Sequence, residues 1–248
     1  MTLRAATILR RRCDTLGQRS LQDMAAIVKV NPDFPESSPI ARAAELIRRG
    51  HVVAIPTDTF YGLAANPFDR AAIEKVFAIK GRSKSAPLLL LIDSVEMARE
   101  LAAELPPKFH RLAQRFWPGP LTIVVEASAK VPALVTGETG RIGLRVPAAA
   151  IPRVLAKQAG LPLTGTSANR TGKKACSTAQ EVQRCLGESL ALILDGRPSA
   201  ATRPSTVVSV RRDSWELLRE GAILREEITT VLGSRKAEPR PRGSGQKK

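Results

Sequence analysis

The residues able to do chemistry fall in short polar segments bracketed by apolar runs. His51–Ile55 leads straight into Pro56-Thr57-Asp58-Thr59-Phe60-Tyr61-Gly62, where Pro and Gly enclose three small polar side chains suited to a small hydroxylated ligand. Lys80-Gly81-Arg82 sets two cations about one glycine, a point charge and a bidentate fork that suit phosphate oxygens. Ser167-Ala168-Asn169 offers a hydroxyl and an amide within one turn, and Pro204-Ser205-Thr206 opens a segment that Arg219 closes. In α/β sheets, ligands bind at loops beyond the carboxyl ends of strands. Taken singly, each segment also has an ordinary reading: a capped turn, cations answering a helix dipole, an Asx turn.

Common catalytic templates do not fit. Gly165–Asn169 (GTSAN) departs from the nucleophile elbow at its last position. Ser167–Lys174 (SANRTGKK) has Ser where a P-loop opens with Gly, and Lys where it closes with Ser or Thr. His51 and His110 stand at unrelated positions and give no triad. Cys13, Cys176 and Cys185 lack C-x-x-C spacing and any disulfide framework, so no zinc site and a reducing, intracellular setting are expected. What remains is positioning and charge neutralisation rather than a covalent nucleophile.

These segments need elements to hold them. Ser38-Pro39 reads as an N-cap with Pro at the first helical position, opening a helix that Gly50 ends. His51–Ile55 reads as a buried strand, Asp69 as the cap of a helix through Ile79, and Leu88–Ile92 as another strand. Asp93 is expected to cap a helix over 94–104, followed by a helix over 108–116 and rigid Trp117-Pro118-Gly119-Pro120. Strands are expected at 121–126, 141–146, 161–165 and 190–194, helices at 151–159 and 178–186, and a hairpin from 205–210 and 215–218. Alternation of this kind predicts one α/β domain with a mixed sheet.

The domain is expected over 35–232, after an N-terminal extension (1–34) and before a basic, Pro/Gly-rich disordered tail (233–248). Translation starting at Met24 is one reading of the Arg-rich start, a transit peptide another. The net charge of +16 leaves +8 for residues 24–234, so the body itself favours polyanions. No run approaches the ~18 apolar residues of a membrane span, and a cytoplasmic protein is expected.

Seven segments in register resemble the YrdC family: PTDTFYGLAANPFD (56–69), KGRSKSAPLLLLI (80–92), WPGPLTIVV (117–125), IGLRVP (142–147), TSANRTGKKACST (166–178), RPSTVVSV (203–210) and LLREGAI (217–223). The resemblance implies a twisted mixed α/β sheet with a basic concave face. It implies a threonylcarbamoyl-AMP synthase, a nucleotidyltransferase that joins L-threonine, bicarbonate and ATP with release of pyrophosphate. A downstream transferase then places the threonylcarbamoyl group on tRNA. By resemblance, the family's K-x-R…S-x-N tetrad falls on Lys80, Arg82, Ser167 and Asn169 as catalytic residues. Thr57, Arg145, Ser167 and Ser205 would bind threonine, Arg145 through the carboxylate. Lys80, Arg82, Asn169, Ser177 and Arg219 would hold ATP.

Two departures accompany the match. Ala86 stands where the family often has His, Lys or Asn, leaving a substrate contact missing or taken by Lys84. By resemblance, the short, single-domain form of the family is expected, without the extra C-terminal domain of the longer form. Mg2+ is expected to accompany ATP with few protein ligands, Asp58 and Asp195 being candidates. The alternatives are a non-catalytic module on tRNA or ribosomal RNA, with weak tRNA binding open in either case, and a carbamoyl-phosphate-using maturation enzyme. The first lacks an aromatic stacking platform; the second's acylphosphatase-like module and Cys-rich zinc motifs are not found.

Overall fold

Aliphatic runs and amphipathic helices alternate in the folded chain much as the sequence predicts, but the strands divide between two sheets. The computed structural model of the protein describes residues 24–233. The expected tail, the alternative start and the Arg-rich first residues lie outside the described residues.

The first sheet runs β1 (Ala26–Lys29), β9 (Leu192–Asp195), β2 (Val53–Ile55), β3 (Gly62–Ala64) and β8 (Thr166–Ser167) in spatial order. Its first three strands are parallel; β3 and β8 pair antiparallel. The second runs β11 (Trp215–Arg219), β10 (Thr206–Val210), β5 (Leu121–Glu126), β6 (Arg141–Arg145), β4 (Leu89–Leu91) and β7 (Leu163–Thr164), again mixed. The expected single strand over 161–165 is therefore two pieces. Gly165 is the crossing point: a Cβ there would lie 2.6 Å from both Leu89 Cδ1 and Leu91 Cγ. The sheets are stitched beside it by Thr164, whose hydroxyl donates to Leu63 O and accepts from Ala65 N.

Helices cover the outer faces. α1 (Ser37–Arg48) and α6 (Ala150–Ala159) pack on Val53, Ile55, Leu192 and Leu194 through Ile40, Ile47, Ile151 and Leu155. α2 (Arg70–Lys80), α3 (Val95–Leu101), α4 (Pro107–Phe116) and α7 (Ala179–Leu186) join the larger core through Ile73, Phe77, Leu101, Phe109, Leu112 and Val182. Asp69 caps α2 as expected, accepting from Ala71 N and Ala72 N.

Several expectations need correction. The N-cap of α1 is Glu36, not Ser38, and its carboxylate turns back to accept from Asn31 N. Ser94 rather than Asp93 caps α3, and α3 stops at Leu101 because Ala102 forms a β-bridge with Ala127. The domain reaches back past residue 35, since β1 pairs with β9 in full register. Two helices were not expected: α5 (Ala133–Thr136) and α8 (Arg225–Leu232).

Side chains alternate across a strand, and this gives the second sheet its function. Leu90, Ile123, Val125, Ile142, Leu144 and Val208 face the core. The opposite face, carrying Leu91, Arg145, Thr122 and Val207 in one row, is left open.

Candidate active site

That open face floors a cavity of about 760 Å3, whose rim comes from the first sheet and the loops between the two. Thr57 and Thr59 stand on the turn after β2. Thr57 Oγ1 accepts from Thr59 N at 3.1 Å and donates to Phe60 O at 2.7 Å, which closes the turn on itself. Of the sequence-selected residues, Thr57, Arg82, Arg145, Ser167, Ser205 and Arg219 are brought together in the cavity wall. They derive from both sheets and from the end of α2.

Lys80 and Asn169 lie behind the wall, not in it. The Lys80 ammonium, 4% exposed, donates to Ser167 O (2.5 Å), Asn169 O (2.9 Å) and Asn169 Oδ1 (3.3 Å). An ammonium has three protons, so these acceptors exhaust it. Burial first, and repulsion from Arg82 second, draw its pKa down to about 8. Ser167 Oγ donates to Asn169 Oδ1 at 2.6 Å, and Asn169 Nδ2 donates to Arg170 O and Lys173 O. Lys80 thus shapes the Ser167–Asn169 turn from beneath. The carbonyls of that turn converge on its nitrogen, which sits beneath the site instead of in its wall.

Arg82 differs. Its Nη2 donates to Pro87 O at 2.8 Å, and the residue lines the cavity. Arg219 grips Ser205, donating through Nε and Nη2 to Ser205 O and through Nη2 to Ser205 Oγ. Burial lowers the pKa of both arginines, and that of Arg219 is lowered further by Arg145 and Arg82. Three guanidiniums at one end of a cavity make a strong anion site.

Arg145 is 3% exposed on the central strand β6. Its Nε donates to Gly119 O at 3.0 Å and its Nη1 to Thr59 Oγ1 at 3.1 Å, while Nη2 lies 2.7 Å from Asp58 Oδ1. Asp58 is therefore committed to Arg145, and Asp195 accepts from the Tyr61 hydroxyl at 3.3 Å. Among the described residues, no three His, Cys, Asp or Glu side chains come together to hold a metal. Ser177 is outside the wall; its amide donates to Glu181 Oε2 and its carbonyl accepts from Ser199 N. Lys84 is exposed and pairs with Glu74 at 3.5 Å.

Sequence reasoning missed the far end of the floor. Arg141 and Arg211 line it with Ser209 and Glu216. Arg141 Nη2 donates to Val124 O, Ser209 Oγ and Val210 O, and burial followed by repulsion from Arg211 lowers its pKa. Their signal was strand alternation, which puts 141, 143 and 145 on one face.

Comparison with known proteins bears on this arrangement. The Sua5/YciO/YrdC family model, described as telomere recombination, matches residues 45–221. A threonylcarbamoyl-AMP synthase of Pyrococcus abyssi is 37% identical over 216 residues, covering 87% of this chain and 63% of that protein. One of Bacillus subtilis is 37% identical over 210 residues, covering 83% and 60% respectively. This chain thus spans about three fifths of the length of these two relatives. The crystal structure of Pyrococcus abyssi Sua5 complexed with L-threonine superposes with a TM-score of 0.82 at 37% identity, covering 87% of this chain and 63% of that one.

Proposed function

The chain belongs to the Sua5/YciO/YrdC family, and from that premise we propose that it is a threonylcarbamoyl-AMP synthase. The reaction joins L-threonine, bicarbonate and ATP and releases pyrophosphate, so it is a nucleotidyl transfer, here placed in the cytoplasm and supplying a tRNA-modifying transferase. The observation that carries this reading is the single cavity wall shared by Thr57, Arg82, Arg145, Ser167, Ser205 and Arg219. Named relatives and a threonine-bound family structure support it.

The chemistry asks for placement and charge. Bicarbonate takes up a proton and loses water to give carbon dioxide; the neutral threonine amine captures that carbon dioxide and releases a proton, giving a carbamate. A carbamate oxygen attacks the α-phosphorus of ATP as the bond to the bridging oxygen breaks, and pyrophosphate takes that electron pair. Arg82 and Arg219 face negative charge developing on the phosphates, while Arg145 takes the amino-acid carboxylate. Ser167 is aimed by the Lys80–Asn169 network, and Ser205 by Arg219. Mg2+ would enter as part of the nucleotide substrate, carried on the phosphates.

The test is pyrophosphate release from ATP and bicarbonate, with and without L-threonine. Threonine-dependent release that falls by on the order of 100-fold or more in Arg82→Ala, with an unchanged melting temperature, is the expected outcome. Near-normal turnover in that variant overturns the assignment of Arg82. No release with any amino acid, together with salt-sensitive tRNA binding, returns the protein to the RNA-module reading.

A further inference from the structure

One buried carboxylate at the site has no role in the reaction as described. Asp58 sits between Thr57 and Thr59 on the turn after β2, with a side chain 15% exposed. Its Oδ1 lies 2.7 Å from Arg145 Nη2, yet neither carboxylate oxygen nor Nη2 has an aligned hydrogen-bond partner, and all three atoms are shielded from solvent. The pair is held by charge and not by hydrogen-bond geometry.

The surroundings explain why a charge is needed there. Arg145 is buried within the influence of Arg219, which also feels Arg82. Burying a guanidinium beside others without a counter-charge is prohibitive. Among the described residues, Glu216 on β11 is the one acidic residue in the cavity wall, and it lines the far end together with Arg141 of β6 and Arg211 beyond β10. Asp58 is therefore the carboxylate that answers Arg145.

The same contact joins the two sheets across the site. Asp58 and Thr59 follow β2 of the first sheet, and both engage Arg145 on β6 of the second. Of the five guanidinium hydrogens, one goes to Gly119 O and one to Thr59 Oγ1, and the Nη2 pair faces Asp58. One Nη1 hydrogen remains uncommitted on a residue that lines the cavity.

We propose that Asp58 is a positioning residue: its negative charge holds Arg145 in the orientation that presents this remaining Nη1 hydrogen to the carboxylate of the amino-acid substrate. The inference rests on the synthase reading of the site and assigns Asp58 to Arg145 instead of to a metal. Its consequence is selective. Loss of the charge at position 58 weakens amino-acid binding and leaves ATP, held by other arginines, largely alone.

Two measurements on the full chain test it, using Asp58→Asn, which keeps the volume, and Asp58→Glu, which keeps the charge. In steady-state pyrophosphate release, Asp58→Asn is expected to raise the threonine KM by about tenfold or more while kcat and the ATP KM stay within about threefold. Asp58→Glu should recover part of the loss. Separately, the Arg145 Nε–Hε resonance, identified by its disappearance in Arg145→Lys, should exchange with solvent about tenfold faster in Asp58→Asn than in the wild type. Threonine and ATP KM rising together with a fallen melting temperature would show a merely structural role and overturn the proposal. Unchanged exchange and unchanged threonine KM overturn it as well. If the wild type releases no pyrophosphate with threonine, the synthase reading fails, while the exchange measurement still decides whether Asp58 holds Arg145.

Discussion

Lys80 shows how far residue type and spacing reach. Its nearness to Arg82 and its cationic head suggested a phosphate ligand, and the sequence held no sign that three oxygens of a turn some ninety positions away would take up its protons. Arg82, two residues on, carries the same charge but fronts the cavity. The two therefore make different predictions. Lys80 has a pKa near 8, below its ordinary 10.5, because burial and then Arg82 penalise the charged form. Between those values the unfolded chain binds more protons than the folded one, so this group's contribution to stability rises with pH through the window. Its cost is fully present below about pH 8. Relative to Lys80→Gln, the wild-type melting temperature should accordingly gain between about pH 8 and pH 10. Turnover should move the other way. A neutral amine donates two hydrogens where three acceptors wait, so the Ser167–Asn169 turn loosens and the pH–rate profile should descend with an apparent pKa of about 8. A flat profile to pH 10 would show that the charge on Lys80 is not needed to hold that turn.

Elements were readable where their patterns were long and lost where they were short or polar. The HVVAI and LLLLI runs, the Asp69 cap and the final hairpin all fall where periodicity puts them. β3 is three residues inside a segment whose chemistry drew the eye, β1 is a four-residue edge strand, and α8 opens on Arg-Glu-Glu. One of the unexpected features bears directly on the site. α5 ends at Gly137, whose φ of +58° and missing Cβ let it lie against Ser85–Pro87. A Cβ there would fall 2.4 Å from Ser85 O, and Arg82 is bonded to Pro87 O. Gly137→Ala should therefore lower stability by about 1–3 kcal/mol and raise the ATP KM, since the displaced segment carries Arg82's anchor; kinetics on the folded variant check it. At the other end of the site, Thr206 Oγ1 accepts from Gly221 N and Ile223 N and donates to Ile223 O, fully buried. Thr206→Val strands those groups at a cost of roughly 1–3 kcal/mol, or about 2–12 °C in melting temperature for a chain of this size. An unchanged melt would mean that the turn after Arg219 finds other partners.

At the scale of the whole molecule, the alternation of strand and helix patterns foretold a mixed α/β domain, and the separation of its strands into two sheets was hidden because Gly165 breaks what reads as one strand. That separation is what makes the site. Thr57 and Ser167 approach it from the first sheet, Arg145, Ser205 and Arg219 from the second, and the direct links across it include Thr164 and the Asp58–Arg145 pair. A ligand bridging the cavity should therefore fasten the sheets together. At one hundred times its Kd, a ligand specific for the folded state adds about 2.7 kcal/mol, which corresponds to roughly 5–10 °C in melting temperature here. ATP and threonine should each raise the melt, but they should respond differently to salt. Arg82, Arg141, Arg145, Arg211 and Arg219 all line the wall; in the proposed reaction ATP would bring several negative charges to Arg82 and Arg219 within that field, whereas threonine is a zwitterion of no net charge. Raising ionic strength from about 0.1 M to 1 M shortens the screening length from roughly 10 Å to 3 Å. The shift given by ATP should shrink markedly over that range and the shift given by threonine should persist. An ATP shift that is indifferent to salt would mean that its phosphates lie away from the arginine wall, and the placement of the nucleotide would have to be reversed.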